Sequence, residues 1–465
     1  MAGRQGKAGY LWVLVLLVAG VVAALQGPHS LQAAPIDETK VEVVASGLEV
    51  PWALAFAPDG RLFVTERPGR IRIVQDGVLQ EEPLASLDVA RVGESGLMGI
   101  ALDPAFETNG YVYVCYSYFG EGSQIRNRIA RLTDEDGRGG DHTVLVDGIP
   151  GAGIHDGCRL KFGPDGKLYA TTGDAAQGQP AQDLGSLAGK VLRMNPDGSV
   201  PEDNPFPGSL VYTYGHRNPQ GLDFHPETGQ PYISEHGPSD NDEVNILVPG
   251  GNYGWPIRRG VVNEPGFVDP ILTFTPTIAP AGATFYTGDQ LPAEWQGSFF
   301  FTTLKAVHIH RVVLEADGIR HEELFGNEFG RLRDIVQGPD GYLYFTTSNR
   351  DGRGFPREGD DHILRIVPRV QPEPSPTPSP TPVPTTSPTP VTTPSIPPTP
   401  TATPTMTSTP GPTPSPEPTP TPAGDPDAPA GVSATTLAIY VGLGALAVLM
   451  VAAVAWWSWR RRSAG

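Results

Sequence analysis

HDGCRLKFGPDGKLYATTGD, residues His155 to Asp174, is the stretch from which the rest of the chain can be read. Apolar and polar residues alternate through CRLKF, a Pro164-Asp165-Gly166 turn follows, and LYATT is a second β-prone run, which predicts a tight hairpin. A histidine stands just before its first strand.

The cassette recurs as WALAFAPDGRLFVTE around Pro58, GIALDPAFETNGYVYVCYSY around Pro104, GLDFHPETGQPYISEHG around Pro226 and DIVQGPDGYLYFTTSN around Pro339. The turns lie 46, 60, 62 and 113 residues apart, and the last interval is nearly double the others. A degenerate copy is therefore expected inside it, and GSFFFTTLKAVHIHRVVL, Gly297 to Leu314, is the candidate. The first cassette adds a third strand after Pro68-Gly69. Six multi-strand repeats with no convincing amphipathic helix between them predict an all-β chain, a six-bladed β-propeller over residues 41–368. A β-sandwich or β-solenoid is the alternative.

With 56 Gly, 51 Pro and 39% hydrophobic residues in 465, the economical organisation is one folded domain with tails. A net charge of −18 argues against a nucleic-acid surface, which needs clustered Lys and Arg. Cys115 and Cys158 cannot form a disulfide framework, and their spacing matches no zinc motif. They are read as inert buried thiols, with a single disulfide as the alternative in an exported chain.

Arg4 and Lys7 precede the apolar run Leu11 to Leu25, so residues 1–34 read as a signal peptide or N-terminal anchor. Residues 370–431 are rich in Pro, Thr and Ser; they predict an extended stalk whose threonines suit O-linked sugars. Residues 434–459 are long and apolar enough to span a bilayer, end in tryptophans, and precede the basic tail 460–465. The expected topology is a single-pass membrane protein with the propeller outside the cytoplasm.

Four constellations carry candidate chemistry. His155 has the residue type of a neutral-pH general base and sits where a loop enters a blade. YGHRNPQGLDF puts His216, Arg217 and Asn218 at the equivalent place in the next repeat, and the fork of Arg217 suits an anionic or quinone-like ligand. EHGPSDNDEVNIL offers Gly237 and Pro238 carbonyls beside Asp240, Asp242 and Glu243, a donor set for a hard cation, without the EF-hand pattern. Lys305, Arg331 and Arg333 recur near the starts of strands and suggest a positive channel in an acidic chain.

In family order, GLMGIALDP, HDGCRL, YGHRNPQGL, GPSDNDEVN, NYGWP and GRLRDIV resemble the soluble pyrroloquinoline quinone (PQQ) dependent glucose and aldose sugar dehydrogenases, over about Val43 to Pro368. The resemblance implies a six-bladed propeller that oxidises an aldose or related alcohol by hydride transfer to Ca²⁺-activated PQQ, with His155 as catalytic base. It implies cofactor contacts from Glu94, Arg217, Asn218, Thr277, Lys305, Arg331 and Arg333. Gly237 and Pro238 carbonyls would hold the activating Ca²⁺, and Glu243 with the Tyr253 carbonyl a second, structural one.

The partners expected are a sugar, an electron acceptor that the sequence does not name, and the membrane. Glu94 stands where glucose dehydrogenase has Gln, and Ile154 where it has Asp. Leu272 and Thr275 replace an aromatic pair, while Thr277 is retained. Glucose specificity is therefore not implied. A cofactor-free binding propeller and a Ca²⁺-dependent lactonase are the competing readings.

Overall fold

The Pro-Asp-Gly turns close hairpins between the first two strands of a blade, and six antiparallel blades form a ring in the computed structural model, which describes residues 38–316 and 318–369. Their first strands are Pro51–Phe56, Leu97–Leu102, Gly157–Phe162, Pro219–Phe224, Pro280–Phe285 and Leu332–Gln337. Each packs against the first strand of the next blade, and that of blade six against that of blade one, so these six surround the axis. The ring closes through the N-terminal strand Thr39–Ala45, which pairs antiparallel with Ile363–Pro368 as the outer strand of blade six.

Second strands lose the alternation of a half-exposed strand because neighbouring blades cover both their faces. Leu62–Glu66, Leu168–Thr172, Phe299–Thr303 and Leu343–Thr347 are buried at every position. The run Phe299-Phe300-Phe301 answers to this double burial. The Gly297–Leu314 segment is indeed part of the missing blade, but it supplies strands two and three; the inner strand is PAGATF, Pro280–Phe285, further upstream.

The reading of inert thiols is overturned, because Cys115 and Cys158 form a disulfide joining the second strand of blade two to the first strand of blade three. Gly99 explains the close approach: a Cβ there would lie 2.1 Å from the Cys158 carbonyl oxygen, so only glycine lets the strands draw together. The resulting Cα separation of 5.5 Å lies within disulfide range.

Polar side chains plug the axis. Arg159 pairs with Asp334 at 3.0 Å and lies 4.6 Å from the Trp52 ring, while Arg333 stands 5.8 Å from that ring. Residues 1–34, 370–431, 434–459 and 460–465, with the leader, stalk, span and tail expected there, lie outside the described residues. Among the described residues no helix is long and apolar enough to cross a membrane.

Candidate functional site

Loops entering the first strands and loops leaving the second strands converge at one end of the ring. They enclose a cavity of ≈ 420 Å³ lined by Arg67, Lys305, Arg331, Arg333 and Arg353 against only two carboxylates, Glu94 and Asp351. Its size is that of a small-molecule site. A wider cavity, ≈ 570 Å³, opens on the outer strands of blade one, where acidic side chains gather and no histidine lies.

Arg333 is the most exposed to electrostatic penalty because it is the most buried. It donates to Gln220 at 2.8 Å and has Asp351 at 3.7 Å, but its Nε has no partner. Burial pushes its pKa down to about 10, a sign that the protein alone does not neutralise it. Arg331 is paired with Asp351 at 2.7 Å and donates to the Leu304 carbonyl. Lys305 is exposed and donates to Thr277 Oγ1 at 2.7 Å, which joins two of the expected residues directly. Glu94 is bound to Arg353 at 2.5 Å.

Beside this cavity His155 is held from both ring nitrogens. Arg217 Nη2 donates to Nε2 at 2.9 Å, so the ring proton sits on Nδ1 and is donated to Asp174 at 2.8 Å. Asp174 is fixed in turn by the Trp255 indole N–H at 2.8 Å and the Ala176 amide at 2.8 Å. His155 has φ 61°, a left-handed conformation that a histidine keeps only where its surroundings enforce it. The Glu94 carboxylate lies 3.5 Å from its amide nitrogen, which ties the histidine to the cavity wall.

Arg217 also donates to the carbonyls of Gly237 at 2.7 Å and His236 at 3.1 Å, and its guanidinium stands 5.4 Å from the Trp255 ring. Asn218 is fully buried; its Oδ1 accepts from the Gly157 amide while its Nδ2 has no partner.

Gly237, Pro238, Glu243 and Tyr253 come together around a second, much smaller cavity of ≈ 20 Å³ that Glu235 also lines. Burial first, then the charge of Glu235, push the Glu243 carboxyl up. Asn245 Oδ1 is buried nearby in sequence without a partner. The pair of buried carboxylates suits a hard cation in a space of ionic size, but Arg217, Arg258 and Arg259 also line it, and both Glu235 oxygens are engaged, by His216 and by the Arg217 amide. The Gly237 carbonyl is held by Arg217, and the Tyr253 hydroxyl is committed to the Ile246 carbonyl, which leaves its side chain out of any metal shell.

Of the expected residues, Glu94, Lys305, Arg331 and Arg333 line the larger cavity and Arg217, Gly237, Pro238, Glu243 and Tyr253 the smaller; His155 is tied in through Arg217 and Thr277 through Lys305, while Asn218 lines neither cavity. Asp174, Trp255, Arg67, His236 and Asp351 join them without having been singled out. Their common signal is position: Arg67, Asp174, His236 and Asp351 follow the ends of second strands, which open on the same face as the loops before first strands.

A histidine oriented by a carboxylate, set beside a cation-lined cavity at the mouth of a six-bladed propeller, defines a site for proton transfer next to an anionic small molecule. The glucose/sorbosone dehydrogenase family model matches residues 48–364. The chain belongs to that family and is an oxidoreductase.

Its relatives include an aldose sugar dehydrogenase of Escherichia coli, 32% identical across 73% of this chain and 95% of the relative. Quinoprotein glucose dehydrogenase B of Acinetobacter calcoaceticus is 32% identical across 70% of this chain and 88% of its own. Among solved structures, a glucose dehydrogenase-like oxidoreductase of Thermus is 46% identical (TM-score 0.64, 71% of this chain and 100% of that one). The PQQ-bound aldose sugar dehydrogenase of Streptomyces coelicolor is 36% identical (TM-score 0.65, 71% and 99%).

Proposed function

We propose that the protein oxidises an aldose or related alcohol outside the cytoplasm, with PQQ in the cation-lined cavity and Ca²⁺ at the adjoining oxygen donors. The observation that carries this reading is the excess of cations in the cavity, with Arg333 buried and incompletely neutralised beside the His155–Asp174 pair. Arg331, Arg333 and Lys305 would meet the cofactor's carboxylates, with Thr277 and Glu94 on the same wall and Arg217 and Asn218 at the reacting end. When bound, the quinone supplies the hydride acceptor.

The chain's own residues then handle the proton. Asp174 holds the Nδ1–H tautomer, which leaves the Nε2 lone pair as the acceptor. A sugar hydroxyl replaces Arg217 at Nε2 and gives up its proton there, while Asp174 offsets the charge that the imidazole gains. Gly237 and Pro238 carbonyls would hold the Ca²⁺ next to the cofactor once Arg217 yields Gly237, and Glu243 with Tyr253 a second ion. A cofactor-free binding propeller has no use for unneutralised buried cations, and a lactonase metal centre would need carboxylates where this cavity has arginines.

The disulfide supports an oxidising compartment, in keeping with the export signal and C-terminal span read from the sequence. The direct test is reconstitution: purified protein given PQQ and Ca²⁺ should acquire the cofactor's absorbance and reduce a dye on addition of an aldose. Failure to take up PQQ, with the chain folded, would end this proposal.

A further inference from the structure

Beyond the turn that carries Lys305, the outer half of blade five carries three histidines and a glutamate on one face of the sheet. Residues two apart on a strand share a face, which aligns His308 with His310 and His321 with Glu323. Glu323 is the cross-strand partner of His310, and Phe301 is its partner on the other side. Side-chain contacts confirm the shared face. His308 Nε2 lies 3.1 Å from His310 Nδ1, and His310 Nε2 lies 2.9 Å from His321 Nδ1. The ring of His310 stacks on Phe301 at 4.9 Å and meets the edge of Phe274 from blade four at 4.9 Å.

We infer that His308, His310 and Glu323 form a binding site for a borderline divalent transition metal of the Zn²⁺ type, separate from the oxygen-lined cation sites at the mouth. Each offers a ligand atom, and the three atoms lie within 4.8 Å of one another. Tetrahedral zinc with Zn–N bonds of about 2.0–2.1 Å places its ligand nitrogens roughly 3.3 Å apart. The 3.1 Å between His308 Nε2 and His310 Nδ1 is already that spacing. His308 and His310 are nearly inaccessible, each 2% exposed, whereas the Glu323 side chain is 63% exposed, lies 3.7 Å from His308 Nδ1 and would swing from there onto the ion. A fourth position is left for water from the open side.

The surroundings supply what such a site needs beyond its ligands. Coordination through Nδ1 puts the remaining ring proton of His310 on Nε2, 2.9 Å from its acceptor His321 Nδ1; coordinating histidines commonly donate their second nitrogen in this way. Phe301 and Phe274 fix the plane of the His310 ring. Imidazole donors select Zn²⁺, Cu²⁺ or Ni²⁺ over Ca²⁺, which prefers oxygen. The site also adjoins the cofactor cluster along the chain: Thr303 and His308 exchange hydrogen bonds across the turn that carries Lys305.

The test uses tag-free full-length protein with excess Ca²⁺ present, so that oxygen-ligand sites are filled, titrated with Zn²⁺ by calorimetry and with Co²⁺ by visible absorbance. One Zn²⁺ per chain should bind, and Co²⁺ should give the d–d bands of a low-symmetry, four-coordinate site of two nitrogens and two oxygens. His308→Gln and His310→Gln should each weaken binding at least tenfold and abolish the cobalt bands. Glu323→Gln alters only an exposed side chain and leaves the fold intact; it should weaken binding several-fold and change the cobalt spectrum. No stoichiometric Zn²⁺ binding by the parent, or unchanged affinity and spectrum in Glu323→Gln and in a folded His308→Gln, would overturn the assignment. None of these readouts involves PQQ or turnover, so they stand apart from the dehydrogenase proposal.

Discussion

Arg333 and Lys305 are both cations of the mouth, yet their surroundings give them unequal weight. Arg333 is buried and incompletely paired, whereas Lys305 is exposed and satisfied by Thr277. Removing a charge-assisted bond to a carboxylate costs about 1.5–3 kcal/mol, roughly tenfold to over a hundredfold in affinity. Arg333→Ala should therefore weaken PQQ binding by the upper part of that range and Lys305→Ala by the lower, read by titrating Ca²⁺-loaded protein with PQQ. Parent-like titrations for both would misplace the cofactor.

Asp156, next to the histidine, is 2% exposed; its Oδ1 accepts from Asn127 and the Ala152 amide while Oδ2 has no partner. Burial pushes its pKa up to about 6. An acid whose folded pKa is raised binds its proton more tightly when folded, so the destabilisation is absent below about pH 4, grows as pH rises, and is complete above about 6. Asp156→Asn should then stabilise the protein at pH 7 by up to about 3 kcal/mol and lose that advantage near pH 4. Denaturant unfolding of both proteins at the two pH values decides it; a difference independent of pH would refute the titration. His155 was legible in the sequence through its place before a strand. Asp174 was not: it stands at the far end of the same hairpin, and only closure of that hairpin returns it to the histidine.

At the scale of elements, the hairpin pattern was readable because Pro-Asp-Gly turns are local chemistry, and it located five of the six blades. Blade five escaped in part because its first strand, PAGATF, is followed by a long turn without that signature, so repeat spacing pointed to its later strands. The cysteine pairing was equally hidden, since it depends on how closely blade three approaches Gly99 of blade two. The disulfide closes a loop spanning a sequence separation of 43 residues, and loop-closure entropy puts its contribution at about 2–4 kcal/mol. Cys115→Ala/Cys158→Ala should unfold at correspondingly lower denaturant, with a somewhat steeper transition because the chain without the cross-link unfolds to a more open state. A midpoint that stays where it was would mean that blade packing alone sets the junction.

Seen whole, the ring puts loops from all six blades around one mouth. His155 and Asp174 come from blade three, Arg217 from the junction of blades three and four, Lys305 from blade five and Arg333 from blade six. The sequence disclosed these residues by their repeat positions and by family resemblance. It could not disclose the contacts among them, because Arg217 on His155, Trp255 on Asp174 and Arg353 on Glu94 depend on how distant blades and long loops meet. The central claim is that this assembly binds PQQ through its cations and takes the substrate proton through His155, two duties assigned to different residues. The most direct measurement is single-turnover reduction of bound PQQ by an aldose in the parent and in His155→Gln, with bound cofactor quantified in each. The account predicts full PQQ occupancy in His155→Gln and a reduction rate lower by about 10²–10⁴-fold. A variant that carries full PQQ and reduces it within a few-fold of the parent rate would contradict it.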